Sequence, residues 1–196
     1  MTEGGFFAAT DATPLDPDAT AELIPPLQTQ ADLNEFEAAN ITEAAVWTRR
    51  SRLLLHGYPS PKSLLELHRR MFDRTWRWAG RYRRTDTNLG VPWPQVSVAV
   101  RQLCDDTCYQ VQHASVDPDH LCVGFHHRLV SIHPFPNGNG RLARIATDVL
   151  RRNASWPAWT WGAESLVADG EVRSAYIKAL RAADGGDLAP LIAFVR

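Results

Sequence analysis

The chain predicts a mainly α fold, and three observations lead there. Apolar residues recur at three- and four-residue steps through most of the sequence after residue 31, the spacing that lines one helix face. Prolines and glycines gather at the junctions between these segments, where helices start and stop. One stretch departs from the pattern: 81–94 sets Thr85, Asp86, Thr87, Asn88 and Gly90 beside Val91 and two prolines, which reads as a short β-hairpin or flap.

Taken in order, residues 1–30 carry Gly4, Gly5, Pro14, Pro17, Pro25 and Pro26 and read as an extended arm ahead of a domain over 31–196. A first helix runs from Asp32, a candidate cap, to about Ser51, with Leu33, Phe36, Glu37, Asn40, Ile41 and Ala44 at helical steps. Ser60-Pro61 opens a second, striped by Leu64, Leu65, Leu67, Met71 and Phe72. Trp76 to Gly80 end it. After the flap, a helix over about 94–113 carries Val96, Val100, Leu103 and Val111, and another starts at Asp117-Pro118 and runs through Val123, Phe125 and Val130. A Pro- and Gly-rich loop at 133–140 interrupts, and a helix follows to about Arg152. After a Trp/Pro loop, helices over about 170–183 and 187–194 flank Asp184-Gly185-Gly186. No internal repeat or low-complexity tract is seen.

The 196 residues suffice for one domain with a real core and no disulfide or metal staples. A net charge of −1 supplies no field that would draw the protein to nucleic acid or anionic lipid. The sequence has no apolar run of about 20 residues. It also has no basic–apolar leader at Met1–Gly5, and three cysteines (Cys104, Cys108, Cys122) form no disulfide framework. The expectation is a cytoplasmic protein without a membrane partner, its cysteines reduced.

The chemistry is concentrated in Ile132-His133-Pro134-Phe135-Pro136-Asn137-Gly138-Asn139-Gly140-Arg141-Leu142-Ala143-Arg144. Two glycines around an asparagine let the backbone take unusual dihedrals and aim successive N–H groups at one point. The turn feeds a helix whose free amides and positive dipole end attract anions. Arg141 and Arg144, three apart, lie roughly on one face and can address the same polyphosphate. His133 stands at the entrance as a base near neutral pH, placed to activate a hydroxyl for attack on phosphorus. Phe135 reads as the loop's apolar anchor. A Gly/Asn/Pro turn alone is usually only a connector. A histidine, an aromatic anchor, two glycines and two arginines within twelve residues is a far more specific pattern.

That pattern resembles the Fic family, whose motif reads H-x-F-x-[D/E]-G-N-G-R-x-x-R; His133, Phe135, Gly138, Asn139, Gly140, Arg141 and Arg144 all match. Trp78-Ala79-Gly80-Arg81-Tyr82-Arg83 looks like the family's segment before its target-docking flap, and 176–194 like its closing helices. The whole is similar to the subgroup called mobile mystery protein B. The resemblance implies a Fic fold, a helical bundle around a central helix–loop–helix with a short β-hairpin flap. It implies transfer of AMP from ATP to a Tyr, Ser or Thr hydroxyl of a target protein, with His133 as general base. Gly138, Asn139 and Gly140 would cradle the phosphates, Asn139 also orienting the α-phosphate, while Arg141 and Arg144 hold the outer ones. The flap residues Thr85, Asp86, Thr87, Asn88 and Leu89 would dock an extended target strand.

One motif position departs. Where the family places an acidic Mg²⁺ ligand this chain has Asn137, whose neutral oxygen is a weakened ligand for a hard cation. Mg²⁺-dependent activity is still the expectation, beside two alternatives: another donor, such as UTP or a phosphocholine conjugate, or a catalytically silent nucleotide-binding protein of a mobile-element module. No segment fits the family's inhibitory pattern [S/T]-x-x-x-E-[G/N]. Glu37 is the nearest candidate, able to reach Arg144 in that role or to stand as a solvated helix-face residue. An antitoxin or regulatory partner is left open.

His126, His127 and His133 do not make a metal cluster, because neighbours on a helix point about 100° apart; one of the pair packs beneath the loop instead. Arg81, Arg83, Arg84 and the Arg69-Arg70 pair read as solvated surface near the ATP and target groove rather than a nucleic-acid contact. Trp156, Trp159 and Trp161 either wall an adenine pocket or fill the core. Tyr176 is a candidate nucleobase contact.

Overall fold

The computed structural model describes residues 21–114, 116–162 and 169–196. Most of the expected arm, 1–20, lies outside them. Eight α-helices are described: α1 (Gln30–Thr48), α2 (Arg52–Leu55), α3 (Pro61–Phe72), α4 (Val96–His113), α5 (Pro118–Ile132), α6 (Asn139–Asn153), α7 (Asp169–Asp184) and α8 (Ala189–Val195), with a 3₁₀ turn at Trp93–Gln95 before α4. The fold is mainly α.

Local chemistry sets the boundaries. Helix α1 begins a turn earlier than Asp32 suggested, because Thr29 is the cap. Its hydroxyl accepts the Asp32 N–H at 3.2 Å and the Asp32 carboxylate accepts the Thr29 N–H at 3.1 Å, a reciprocal capping box. Ser60 and Ser63 make the same arrangement at α3, with Pro61 at the tolerated first position. Asp117 caps α5 by accepting the N–H groups of Asp119 and His120 at 3.0 and 3.2 Å.

Helices α5 and α6 form the central pair, joined by the 133–138 loop; α4 packs on α5, α3 on α6, α1 on α3, and α8 on α5 and α7. Their shared faces bury Phe72, Leu103, Phe125, Leu129, Leu142 and Leu191 completely or nearly so. Arg151 of α6 is buried over the Trp159 ring at 4.1 Å and reaches Asp119 at 2.7 Å, and Asp119 also takes Arg196. Cys104 and Cys122 are buried thiols, pushed up to about 12 by burial and therefore inert.

Two expectations change. The flap over 84–92 is a bent loop with no paired strands; an isolated antiparallel bridge joins Leu23 to Trp76 elsewhere. The reason is that the carbonyls of Thr85 and Val91, which would build a hairpin ladder, are instead taken by the side chain of Arg83. The last residues of the expected arm join the domain: Leu23 is buried, and the Ile24 and Arg77 N–H groups bond across to Thr75 and Glu22. Among the described residues, no helix is long and apolar enough to cross a membrane.

Candidate active site

Helix α5 ends at Ile132, and His133 is its C-cap in the left-handed region, at φ 52° and ψ 60°. A non-glycine residue held there costs on the order of 1 kcal/mol or more, so the surroundings must fix it. Arg83 does so: its Nε donates to the His133 carbonyl at 2.6 Å, and its backbone N–H to the Pro134 carbonyl at 3.0 Å. Burial pushes the imidazole below its ordinary value. The Arg83 cation adds to the shift, and the Val130 carbonyl opposes it without reaching hydrogen-bond geometry.

Phe135 is fully buried and lies flat on the His68 ring, centroids 3.6 Å apart and 3° from parallel. His68 was not singled out in the sequence, yet it fixes the loop. Its Nδ1 accepts the Gly80 N–H at 2.9 Å, which places the proton on Nε2, 3.2 Å from the Asn137 carbonyl. Burial keeps this ring neutral, pushed down to about 3. No periodicity could have flagged it, since its partners are backbone atoms of distant segments.

Asn139 differs from its expected role. Its side chain is buried and spent on the loop, Oδ1 accepting the Phe135 N–H at 2.9 Å and Nδ2 donating to the Phe135 carbonyl at 2.8 Å. Both polar ends are thus engaged within the loop itself. Of the two glycines, Gly138 alone takes an unusual conformation, at φ 79°, where an added Cβ would lie 2.5 Å from the Phe72 ring. Gly140 is helical, and a Cβ there would meet nothing within 4 Å. The cap residue Gly138 has no side chain to satisfy the first-turn amides of α6.

Arg144 lies over the Tyr176 ring at 4.8 Å and near Trp161 at 5.8 Å. Tyr176 is buried, its hydroxyl 2.8 Å from Nε2 of the buried His126, so its ring carries the arginine and its polar end faces the core. Trp159 and Trp161 likewise serve as platforms for Arg151 and Arg144. Arg141 lies 5.0 Å over Phe72 and is ion-paired with Glu37. Glu37 is therefore neither solvated nor paired with Arg144. At 3% exposure it sits under Arg141 while its other oxygen accepts the Trp76 indole N–H at 2.6 Å.

Arg83 also departs from the solvated reading. It is 3% exposed, donating to the carbonyls of Thr85 at 2.9 Å, Ile132 at 3.4 Å, and Val91. Thr85, Asp86, Thr87, Asn88 and Leu89 form an exposed loop, pinned by Asp86 accepting the Trp93 N–H at 2.8 Å. Gly90, at φ 113°, lets the loop press on the end of α5: a Cβ there would come within 2.6 Å of Arg83 Nη2 and 2.8 Å of His133 Cβ.

The site does not fit a protein-bound Mg²⁺. The Asn137 side-chain oxygen is neutral and already accepts the Gly138 N–H at 2.6 Å. Among the described residues, no group of three His, Cys, Asp or Glu could hold a metal.

Fold and site together define a mainly helical protein built on a central helix–loop–helix with a histidine at the start of the loop. Residues 58–150 match the Fic/DOC family, and the chain belongs to that family. It is 30% identical over 138 residues to the protein adenylyltransferase Fic of Drosophila grimshawi, covering 68% of this chain and 27% of that protein. It is also 30% identical over 144 residues to the protein adenylyltransferase fic-1 of Caenorhabditis elegans, covering 71% and 27%. The chain thus spans about a quarter of the length of these curated relatives. Among solved structures, C. elegans Fic-1 superposes with TM-score 0.67 at 25% identity, covering 90% of this chain and 52% of that one. The Fic domain of Bep8 from Bartonella sp. 1-1C gives 0.70 at 15%, covering 88% and 87%. BepC of Bartonella tribocorum, solved with bound AMPPNP, gives 0.65 at 18%, covering 86% of each.

Proposed function

We propose that this Fic-family chain is a protein adenylyltransferase that moves AMP from ATP to a hydroxyl of a target protein. The observation that carries the reading is that His133, at the end of α5, is joined by a five-residue loop to a start of α6 without a side-chain cap, with room beside Gly140. Amides of that first turn face the α- and β-phosphates, with the helix dipole behind them. Arg144, and Arg141 once released from Glu37, neutralise charge growing on the outer phosphates.

A hydroxyl brought in along the 84–92 loop meets the His133 imidazole, which burial holds neutral at pH 7. A proton on Nδ1, the nitrogen toward the Val130 carbonyl, leaves Nε2 as the acceptor. The hydroxyl oxygen attacks the α-phosphorus, its proton passes to Nε2, and the bond from α-phosphorus to the β-bridging oxygen breaks. AMP-modified protein and pyrophosphate result. Mg²⁺ enters only with the triphosphate as part of the substrate, since Asn137 offers it no free charge; no step is routed through it.

The Glu37–Arg141 pair holds the enzyme in a restrained state, because a carboxylate competes with phosphate for the same guanidinium. The Asn137 departure also supports a second reading, a nucleotide-binding protein without turnover. Glu37→Gln protein, incubated with α-labelled ATP, Mg²⁺ and cell lysate, decides between them. Label on a protein band that His133→Ala abolishes supports transfer, and the added mass on the target identifies the donor. ATP binding with no label from any nucleotide overturns it.

A further inference from the structure

We infer that Arg83 is a positioning residue that locks the target-docking loop and the catalytic histidine into one unit. The inference rests on the proposed role of His133 as base. The Arg83 guanidinium is withdrawn from solvent yet has no buried carboxylate; Asp86, 3.7 Å from Nη1, is itself exposed. Its charge is met by four backbone carbonyls instead, and their placement carries the argument. Thr85 and Val91 bracket the docking loop, while Ile132 and His133 are the last residue of α5 and its left-handed cap. One rigid planar fork thus spans both partners of the proposed reaction: the loop that presents the hydroxyl and the residue that deprotonates it.

Gly90 closes the same hub from the other side, because only a residue without Cβ lets the loop lie against both Arg83 and His133. A shift of the loop therefore moves His133 as well, so docking and base geometry cannot be set independently. The fixed cation also faces the imidazole and disfavours its protonated form. Arg83 is the charged group that acts on the imidazole, and Asp86 lies 3.7 Å behind it.

The test compares Arg83→Met and Arg83→Lys with the unsubstituted chain, in two independent readouts. The first is the titration of the His133 ring by NMR, assigned with His133→Gln, which needs no enzymatic activity. Arg83→Met should raise the midpoint towards the ordinary value, while Arg83→Lys, keeping a charge, should raise it less. The second is labelling of a target protein from ATP. Both variants should lower kcat by roughly a hundredfold with KM for ATP within about twofold, since lysine cannot reach four carbonyls and neither arginine of α6 is touched.

A residue that only stabilised the fold would lower Tm and leave the titration and the kcat-against-KM split unmoved; that result overturns the inference. If the unsubstituted chain transfers no nucleotide, the adenylyltransferase reading fails while the titration still judges the hub. Should Arg83→Met not fold, Gly90→Ala reads the hub from the loop side: a raised midpoint and lowered kcat support it, and unchanged values overturn it.

Discussion

Glu37, on the first helix, forms an ion pair with Arg141 of α6, the helix that follows the 133–138 loop, while its second oxygen holds the indole of Trp76. The contact spans 104 residues of sequence and joins α1 to α6. Its carboxylate is almost fully buried, whereas the Arg141 side chain is 40% exposed, so the arginine is the member free to turn towards a ligand.

Replacing this carboxylate should free the arginine. Glu37→Gln keeps an acceptor for Trp76 and removes the charge, so ATP affinity measured by calorimetry should rise about tenfold, in line with about 1.5 kcal/mol for a charge-assisted contact. Transfer rates should rise with it. Unchanged affinity would mean that Arg141 takes no part in binding.

Asn137→Asp should restore a charged oxygen at the loop while keeping an acceptor for the Gly138 N–H. The Mg²⁺ concentration giving half-maximal labelling should fall several-fold, because a hard cation gains an anionic ligand. A Mg²⁺ titration identical to that of the unsubstituted chain would show that the metal never approaches residue 137.

The activity should keep its acid limb below the ordinary histidine value of 6.5. Burial and Arg83 both depress the His133 value, and the base works only when neutral. Rates should therefore stay level from pH 7 down to the depressed value and fall only below it. His133→Ala should lose about 10² to 10⁴-fold across this range. A limb at or above 6.5 contradicts the buried geometry.

Two further imidazoles, His68 and His126, are buried neutral and held near 3, against an ordinary 6.5. The unfolded chain therefore binds more protons below 6.5. Stability from burying these rings is complete above that value and is lost as pH falls towards 3, at about 1.4 kcal/mol per unit for each ring. Tm measured from pH 7 to 4 should fall, and His68→Gln should make the fall shallower. Equal slopes for the two proteins would refute the buried neutral ring.

The helices, their prolines and caps, and the 133–144 loop are local features, and they were legible. Periodicity placed seven of the eight described helices to within a few residues because a helix is closed by bonds between near neighbours, and it missed only the four-residue α2 (Arg52–Leu55), too short to show a period. The loop was recognisable because its chemistry is packed into twelve contiguous residues. Thr29 was missed as a cap only because Asp32, its partner in the same box, is an equally good signal. The loop at 84–92 is instructive: its turn residues suggested a hairpin, and no local rule reveals that Arg83 takes the carbonyls a ladder would need.

By itself, then, the sequence determined the mainly helical build and a Gly/Asn-rich turn, entered at a histidine, between two helices. It could do so because helix periodicity and loop motifs depend on residues close in the chain. Only the tertiary structure decided that Glu37 meets Arg141 rather than Arg144, that Asn139 serves its own loop, and that Arg83 and His68 hold the site from within. Each of those outcomes depends on which buried polar group meets which, and burial demands partners that lie 50, 69 or 104 residues away.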